Sequence, residues 1–423
     1  MAKPTAKRPA KRKTRTRKAN GAATGAFLQS GFAFGLAEVI HPITPASFFR
    51  TYWEKKPLVV NRRKPNYYHD LLTLDNIDQV ITSMNLPYPE IELVNAKEQI
   101  ERGAYTRNNS RIDVAKLYDL FADGATVILP HLHIRLPSLA SFCRAMEQEF
   151  SMPYQTNIYL TPANSQGFKS HYDTHDVFIL QVAGTKDWRI YDAPVALPHR
   201  GQRFDVNETP VGEVTQEFKL RPGDMVYIPR GIMHDAGSQK GTSLHITTGV
   251  LAYTWTDLML EAVSAVSLKN PDLRRSLPVG FARAGYRRNK AKAEFKELVR
   301  KFARTADFDD ALDQFADRIT SSRAPLLRGQ MEQVTRLDRL NLKTLAGPRP
   351  ALIYKLFRDG DRIVISVYGK EIAFPKFAAP SLRHALSAER YRIGDLPGDL
   401  DDDGKITLVG RLVREGLVAV MPD

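Results

Sequence analysis

Three side chains in this sequence could share one metal ion. His171 and Asp173 stand two residues apart, and a second imidazole, His234, arrives at the end of a run that starts with the turn Gly223-Asp224 and is bent by Pro229 and Gly231. On a β-strand, residues i and i+2 point to the same face, so His171 and Asp173 would enter one cavity together. Two imidazoles and one carboxylate leave half of the coordination shell open, the facial arrangement of non-haem Fe(II) sites that activate oxygen. The open half suits that chemistry, because 2-oxoglutarate needs two positions and dioxygen one. His175 shares the parity of His171 and Asp173, and His245 follows His234 on the next strand, so either could be a ligand if the register differs. Lys186 lies after the run Val177 to Val182, where its ammonium could pair with the far carboxylate of 2-oxoglutarate in a partly dry pocket. The competing reading of Lys186 is an exposed turn lysine. His131 and His133, beside Pro130 and Leu132, read as residues that cover the barrel.

Such a constellation needs a small, closed β-structure to assemble it. Between Tyr154 and Val250 the chain turns to short β-branched and aromatic runs punctuated by Gly and Pro, the pattern of a small barrel or sandwich. Strands are expected at 157–161, 177–182, 188–191, 217–220, 225–228 and 244–250, with a hairpin connection at 183–187 and a turn at 221–224. Ahead of them, 27–84 mixes short helical stretches with an extended lead-in at Pro57 to Val60. Val114, Leu117, Leu120 and Phe121 have helical spacing, and Leu139, Phe142, Cys143 and Met146 fall at i, i+3, i+4 and i+7 of one face. Both helices are expected to cover the outside of the barrel.

From Ala252 to about Lys343 the period is helical. Phe295, Leu298, Val299 and Phe302 form one apolar stripe; Leu312, Phe315, Ala316 and Ile319 form a second. The two suggest a helical hairpin joined at 307–310, and a lone hairpin leaves apolar surface uncovered, so a second copy of the chain is the expected cover in a homodimer. Segment 271–305 carries eleven Lys or Arg against three acids and is read as a solvated helix face in preference to a nucleic-acid contact. The last portion runs through a strand at Arg362 to Tyr368, a helix near Ser381 to Ala388, and a helix and strand over Leu408 to Met421, an order resembling a winged helix. From Pro350 onward there are eleven basic and eleven acidic residues, a balance that disfavours a nucleic-acid-reading wing and favours a structural or protein-docking role.

With 423 residues and 43% apolar content the chain can bury two or three cores. It has no run of eighteen uninterrupted apolar residues and no apolar core behind its first positive charges, so neither a membrane span nor a secretory signal is expected. The single cysteine, Cys143, excludes an internal disulfide and a cysteine-based zinc site, which leaves His, Asp and Glu to hold any metal. A cytoplasmic location is expected, or a nuclear or nucleolar one in a eukaryotic host. Of the formal charge of +14, nine positive charges precede the first acidic residue, Glu38. A block this basic cannot bury apolar surface; disorder is expected over 1–24, either as an RNA or ribosome tether or as a solubilising tail.

At this point the sequence resembles a known family, the ribosomal oxygenases, which are Jumonji-type cupin hydroxylases of ribosomal proteins. The segments that carry the resemblance are Tyr52 to Leu58, Asn157 to Tyr159, Ser165 through His171 to Asp173, Asp176 to Gln181 with Gly184 to Arg189, Gly223 to His234, and Ser243 to Thr247. The resemblance implies an α+β fold. It would comprise a basic tail (1–24), a Jumonji-type cupin catalytic domain built on a double-stranded β-helix, or jelly-roll (25–250), a helical dimerisation segment (251–345) and a winged-helix-like domain (346–423). It also implies His171, Asp173 and His234 as iron ligands, and Lys186, Tyr159 and Thr247 as residues that hold 2-oxoglutarate. Asn157 would line the active site. Lys at position 186, where some bacterial members have Arg, points toward members that hydroxylate histidine. The implied activity is Fe(II)- and 2-oxoglutarate-dependent hydroxylation of a His or Arg side chain of a ribosomal protein. The alternatives are demethylation of an N-methyl-lysine by the same cofactors and a non-catalytic cupin that binds ribosomes or nucleic acid.

Overall fold

The computed structural model describes residues 34–422. The basic segment 1–24, with the disorder and RNA contact expected of it, lies outside the described residues. The chain first builds covering elements: α1 (Leu36–Ile40), α2 (Pro45–Thr51), β1 (Leu58–Val60), α3 (Leu74–Ser83), β2 (Glu92–Val94), α4 (Val114–Ala122), β3 (Thr126–Pro130) and α5 (Pro137–Phe150). Thr44, Thr73 and Asp113 cap α2, α3 and α4 by accepting from amides that a helix's first turn leaves unpaired. In α5 the expected face is the buried one, with Leu139, Phe142, Cys143 and Met146 all within the core.

Seven more strands follow: β4 (Tyr154–Thr161), β5 (Asp176–Ala183), β6 (Lys186–Tyr191), β7 (Val214–Leu220), β8 (Met225–Ile228), β9 (His234–Gly237) and β10 (Ser243–Val250). They form two antiparallel sheets, the larger in the order β1-β8-β5-β10-β4-β3-β2 and the smaller in the order β7-β6-β9. The chain crosses to the smaller sheet after β5, returns for β8, crosses again for β9 and returns for β10. This is the double-stranded β-helix, or jelly-roll, with flanking helices.

The crossings correct one expectation. Segment 183–187 is no hairpin, because β5 and β6 belong to different sheets. Gly184, at φ +63°, turns the chain between them, and a Cβ there would lie 1.9 Å from the Thr242 carbonyl oxygen. The turn at 221–224 likewise passes from β7 to β8 and changes sheets. A short polar linker has the same composition whether its strands pair or part, so local sequence could not distinguish the two. Strands β2, β3 and β9 were not foreseen either; β9 reads His-Asp-Ala-Gly, with no strand pattern, and exists through its pairing with β6.

Alternate residues of β5 and β8 serve two cores. Phe178, Leu180, Met225 and Tyr227 join the helices in the outer core, while Val177, Ile179, Val226 and Ile228 meet Trp188, Ile190 and Leu220 of the smaller sheet inside the barrel. The outer core is rich in angled ring pairs, such as Phe48–Tyr227 and Trp53–Phe150, both at 4.9 Å between centroids. Each such pair contributes about 0.5–1.5 kcal/mol beyond its buried area.

Beyond the barrel lie α6 (Trp255–Lys269), α7 (Asn289–Thr305), α8 (Phe308–Ser321) and α9 (Gln330–Thr335). The two stripes predicted on α7 and α8 do not close on each other. Helix α8 buries Ala311, Phe315 and Ile319 and packs mainly on α6, whereas α7 buries no residue. The chain ends with β11 (Leu345–Pro348), β12 (Lys355–Asp359), β13 (Arg362–Val367), β14 (Lys370–Pro375), α10 (Ala379–Ser387), β15 (Tyr391–Arg392), α11 (Asp402–Arg414) and β16 (Val418–Val420). Two small sheets, β12-β13-β14 and β15-β11-β16, share a separate core with α10 and α11. The Arg144–Glu147 pair of α5, joined by Arg323, ties the barrel's outer layer to the segment leading into this unit.

Candidate active site

His171, Asp173 and His234 converge, with one ligand atom from each lying within 4.8 Å of the others. The strand expected at His171 to Asp173 is absent. Instead, His171 and His234 form a single bridge of two backbone hydrogen bonds, 3.1 and 2.8 Å, and Asp173 follows in irregular chain. The Asp173 carbonyl accepts from the Gly231 amide at 3.0 Å, so the main chain ties all three ligand-bearing segments together. Gly231 sits at φ +86°, where a Cβ would lie 2.0 Å from the Val195 carbonyl oxygen. Only glycine fits that bend.

Both imidazoles are oriented for metal binding. Nδ1 of His171 faces the Lys169 carbonyl at 2.8 Å, and Nδ1 of His234 faces the Ile232 carbonyl at 3.1 Å. A ring nitrogen held against a carbonyl carries the proton, which leaves each Nε2 with a free lone pair. Burial and the nearby His171 push the His234 pKa down to about 4, so its ring is neutral near pH 7. Burial alone would raise the Asp173 carboxyl, but His175, His171 and His234 outweigh it and hold the group below its ordinary value.

Two buried carboxylates position these ligands, and the sequence reading missed both. Asp235, next to His234, accepts from the hydroxyls of Ser170 and Tyr191, each at 2.6 Å, and from Arg189 Nε at 3.0 Å. It thereby joins the neighbour of His171 to the neighbour of His234. Asp176, fully buried, pairs with Arg230 at 2.6 Å and accepts from Tyr227 at 2.8 Å, while Arg230 also meets Glu54 at 2.6 Å. This network braces the bend at Gly231 against the start of β5. The available sequence signal was the adjacency of Asp235 to a candidate ligand; nothing local marked Asp176.

The trio opens on a cavity of about 550 Å³ inside the barrel, mouth included, whose lining also holds Tyr159, Lys186, Trp188, His245 and Thr247. Lys186 begins β6 and is only 5% exposed, not the exposed turn residue of the competing reading. Its Nζ donates to Thr161 Oγ1 at 3.2 Å, and no carboxylate pairs with it among the described residues. Burial pushes its pKa down to about 7.

Tyr159 on β4 and Thr247 on β10 reach the cavity from neighbouring strands. Asn157 is not among the lining residues; its Oδ1 accepts from the His131 amide at 3.3 Å. His175 and His245 stand outside the candidate metal-binding trio. His175 packs over Gly249, and His245 lies in the cavity wall. The His133 imidazole accepts from the Thr156 amide at 3.3 Å, on the barrel's rim.

Known proteins resemble this chain in sequence and in fold. Residues 131–258 match the JmjC domain. The chain is 31% identical over 316 residues to the bifunctional lysine-specific demethylase and histidyl-hydroxylase NO66 of Aedes aegypti, a match that covers 71% of this chain and 50% of the relative. It is also 31% identical over 312 residues to NO66 of Drosophila mojavensis, which covers 68% and 34%. The chain thus spans half or less of the length of these curated relatives. Its fold is similar to that of the Escherichia coli ribosomal oxygenase YcfD, solved in complex with cobalt and 2-oxoglutarate, at a TM-score of 0.51 and 16% identity over 90% of this chain and 99% of that one. With the jelly-roll barrel and the His-Asp-His trio that lines its cavity, the chain carries a JmjC domain over residues 131–258 and is similar over most of its length to NO66.

Proposed function

We propose that this chain is an Fe(II)- and 2-oxoglutarate-dependent oxygenase that hydroxylates a His or Arg side chain of a ribosomal protein. One observation carries the reading: Lys186, a buried ammonium with no carboxylate partner among the described residues, lines the same cavity as three side chains that could hold a metal ion. A buried charge without a counter-charge is costly, and a small dicarboxylate anchored at its other end on the metal would supply one. Nitrogen and oxygen donors, two imidazoles and one carboxylate, suit ferrous iron. The names of the relatives, histidyl-hydroxylase and demethylase, and the cobalt and 2-oxoglutarate of the YcfD structure support the same class.

When bound, the iron and its cosubstrates supply the oxidation, one oxygen atom leaving in succinate beside carbon dioxide and the other entering a C–H bond of the target. The chain's own residues bind, orient and exclude water. Lys186, backed by Thr161, grips the far carboxylate, with Tyr159 and Thr247 beside it. Val177, Ile179 and Trp188 wall that end off from water. Asp235 holds the imidazole-bearing segments in place, and Phe168 and Phe204 flank His171 where a target side chain would enter.

The test is to incubate the iron-loaded protein with 2-oxoglutarate and host ribosomes. Succinate formation and a ribosomal protein heavier by about 16 Da, one oxygen atom, are expected; neither appearing would refute the reading. The relatives' double name favours one alternative, demethylation of a methyl-lysine, which a formaldehyde assay separates from hydroxylation. A purely binding cupin would keep its partner affinity after His171→Ala and Asp173→Ala.

A homodimer through α6 and α7 belongs to the same proposal. Trp255 (70% exposed), Leu260 (64%) and Phe295 (68%) leave an apolar face that a second copy would cover. Light scattering of Leu260→Asp against the parent chain tests it. No helix among the described residues is long and apolar enough to cross a membrane; the proposed site of action is the cytoplasm, or the nucleolus in a eukaryote.

A further inference from the structure

His245 lines the cavity from β10 at 2% exposure, and its ring makes no hydrogen bond among the described residues, Nδ1 being buried without a partner. Buried polar atoms are seldom left unpaired in folded proteins, and each exception asks for a partner that arrives later. The ring is held firmly. It stacks on Tyr159 with centroids 4.9 Å apart and 6° between planes, and meets Trp188 edge-on at 5.9 Å and 76°. Burial and the neighbouring Lys186 charge push its pKa well below the ordinary histidine value, so the ring is a neutral imidazole with one N–H to give. His245 lies on the same face of β10 as Thr247 and directly opposite Tyr159. The cavity lining therefore holds one charged donor and one neutral donor.

We propose that His245 is a cosubstrate-positioning residue whose ring N–H donates to the carboxylate that Lys186 grips, so that the two form a clamp selecting a dicarboxylic keto acid over a monocarboxylic one. The inference rests on the oxygenase reading. An ammonium alone attracts an anion as a point charge with little directional preference. An imidazole fixed in plane by two rings adds direction and rejects a keto acid that leaves its N–H unmatched.

The test uses the full chain with Mn(II) in place of Fe(II), under argon, titrated calorimetrically with 2-oxoglutarate and, separately, with 2-oxobutyrate. His245→Phe keeps a ring on Tyr159 but removes the donor. It should weaken 2-oxoglutarate roughly tenfold or more, the worth of one hydrogen bond to a charged group, and leave 2-oxobutyrate within about twofold. His245→Gln, which keeps a donor, should retain most of the preference, and serves by the same ratio of affinities if the Phe variant does not fold. Combined with Lys186→Met, the losses should fall short of additive, because both residues act on one carboxylate. Equal weakening of both keto acids, unchanged binding in His245→Phe, or full additivity would overturn the assignment. A parent chain that binds neither keto acid would instead sink the oxygenase reading itself.

Discussion

Lys186→Met should stabilise the metal-free, cosubstrate-free protein while sharply weakening cosubstrate binding. Burial lowers the lysine from 10.5 to about 7, and at about 1.36 kcal/mol per pH unit the ammonium costs the fold about 5 kcal/mol at pH values below 7, where it is charged in both states. Between about 7 and 10.5 the unfolded chain holds a proton that the folded protein lacks, so the parent's stability rises with pH through that window. Methionine matches the stem in volume, carries no charge and forfeits only the bond to Thr161, worth about 1 kcal/mol. The variant should thus gain about 3–4 kcal/mol at pH 6 and close to nothing near pH 10. Urea unfolding in the presence of a chelator, at pH 6 and pH 9.5, measures both. A variant that is destabilised at pH 6, or a gain that does not shrink as pH rises, would refute the claim that this ammonium is buried without a counter-charge. The same protein, loaded with Mn(II), should bind 2-oxoglutarate far more weakly than the parent by calorimetry, while still binding it measurably.

Other outcomes follow from the same geometry. In the parent, 2-oxoglutarate binding at pH 8 should take up close to one proton, because the arriving carboxylate restores the lysine's charge; titration in buffers of different ionisation enthalpy reads this directly. Asp235→Asn should lower metal affinity about 10- to 100-fold while the far-ultraviolet circular dichroism stays that of the parent, since the carboxylate orients the ligand segments without touching the metal. Arg230→Met leaves Asp176 buried and unpaired and should cost about 3–5 kcal/mol in chemical unfolding. Gly231→Ala should abolish metal binding and lower Tm, because a Cβ cannot share the space of the Val195 carbonyl.

The sequence by itself named the candidate ligands, with His175 and His245 as alternatives, and the class of fold. His171, Asp173 and His234 were legible as candidates because few residue types bind a hard metal and one cysteine rules out thiolate sites; a small barrel or sandwich was legible from short apolar runs between Gly and Pro, and the jelly-roll followed from the family resemblance. The helical face of α5 was equally plain, since its period is written in four residues. Only the tertiary structure decided how the ligands are held. His171 meets His234 through a bridge between segments more than sixty residues apart, not through a strand of its own, and β9 exists because β6 lies beside it. Lys186, Asp176, Asp235 and His245 were ambiguous for one physical reason. Whether a polar side chain is solvated or buried depends on what the rest of the chain places around it: the barrel encloses Lys186 and His245, and Asp176 is buried on its outer side beside Tyr227 and Arg230.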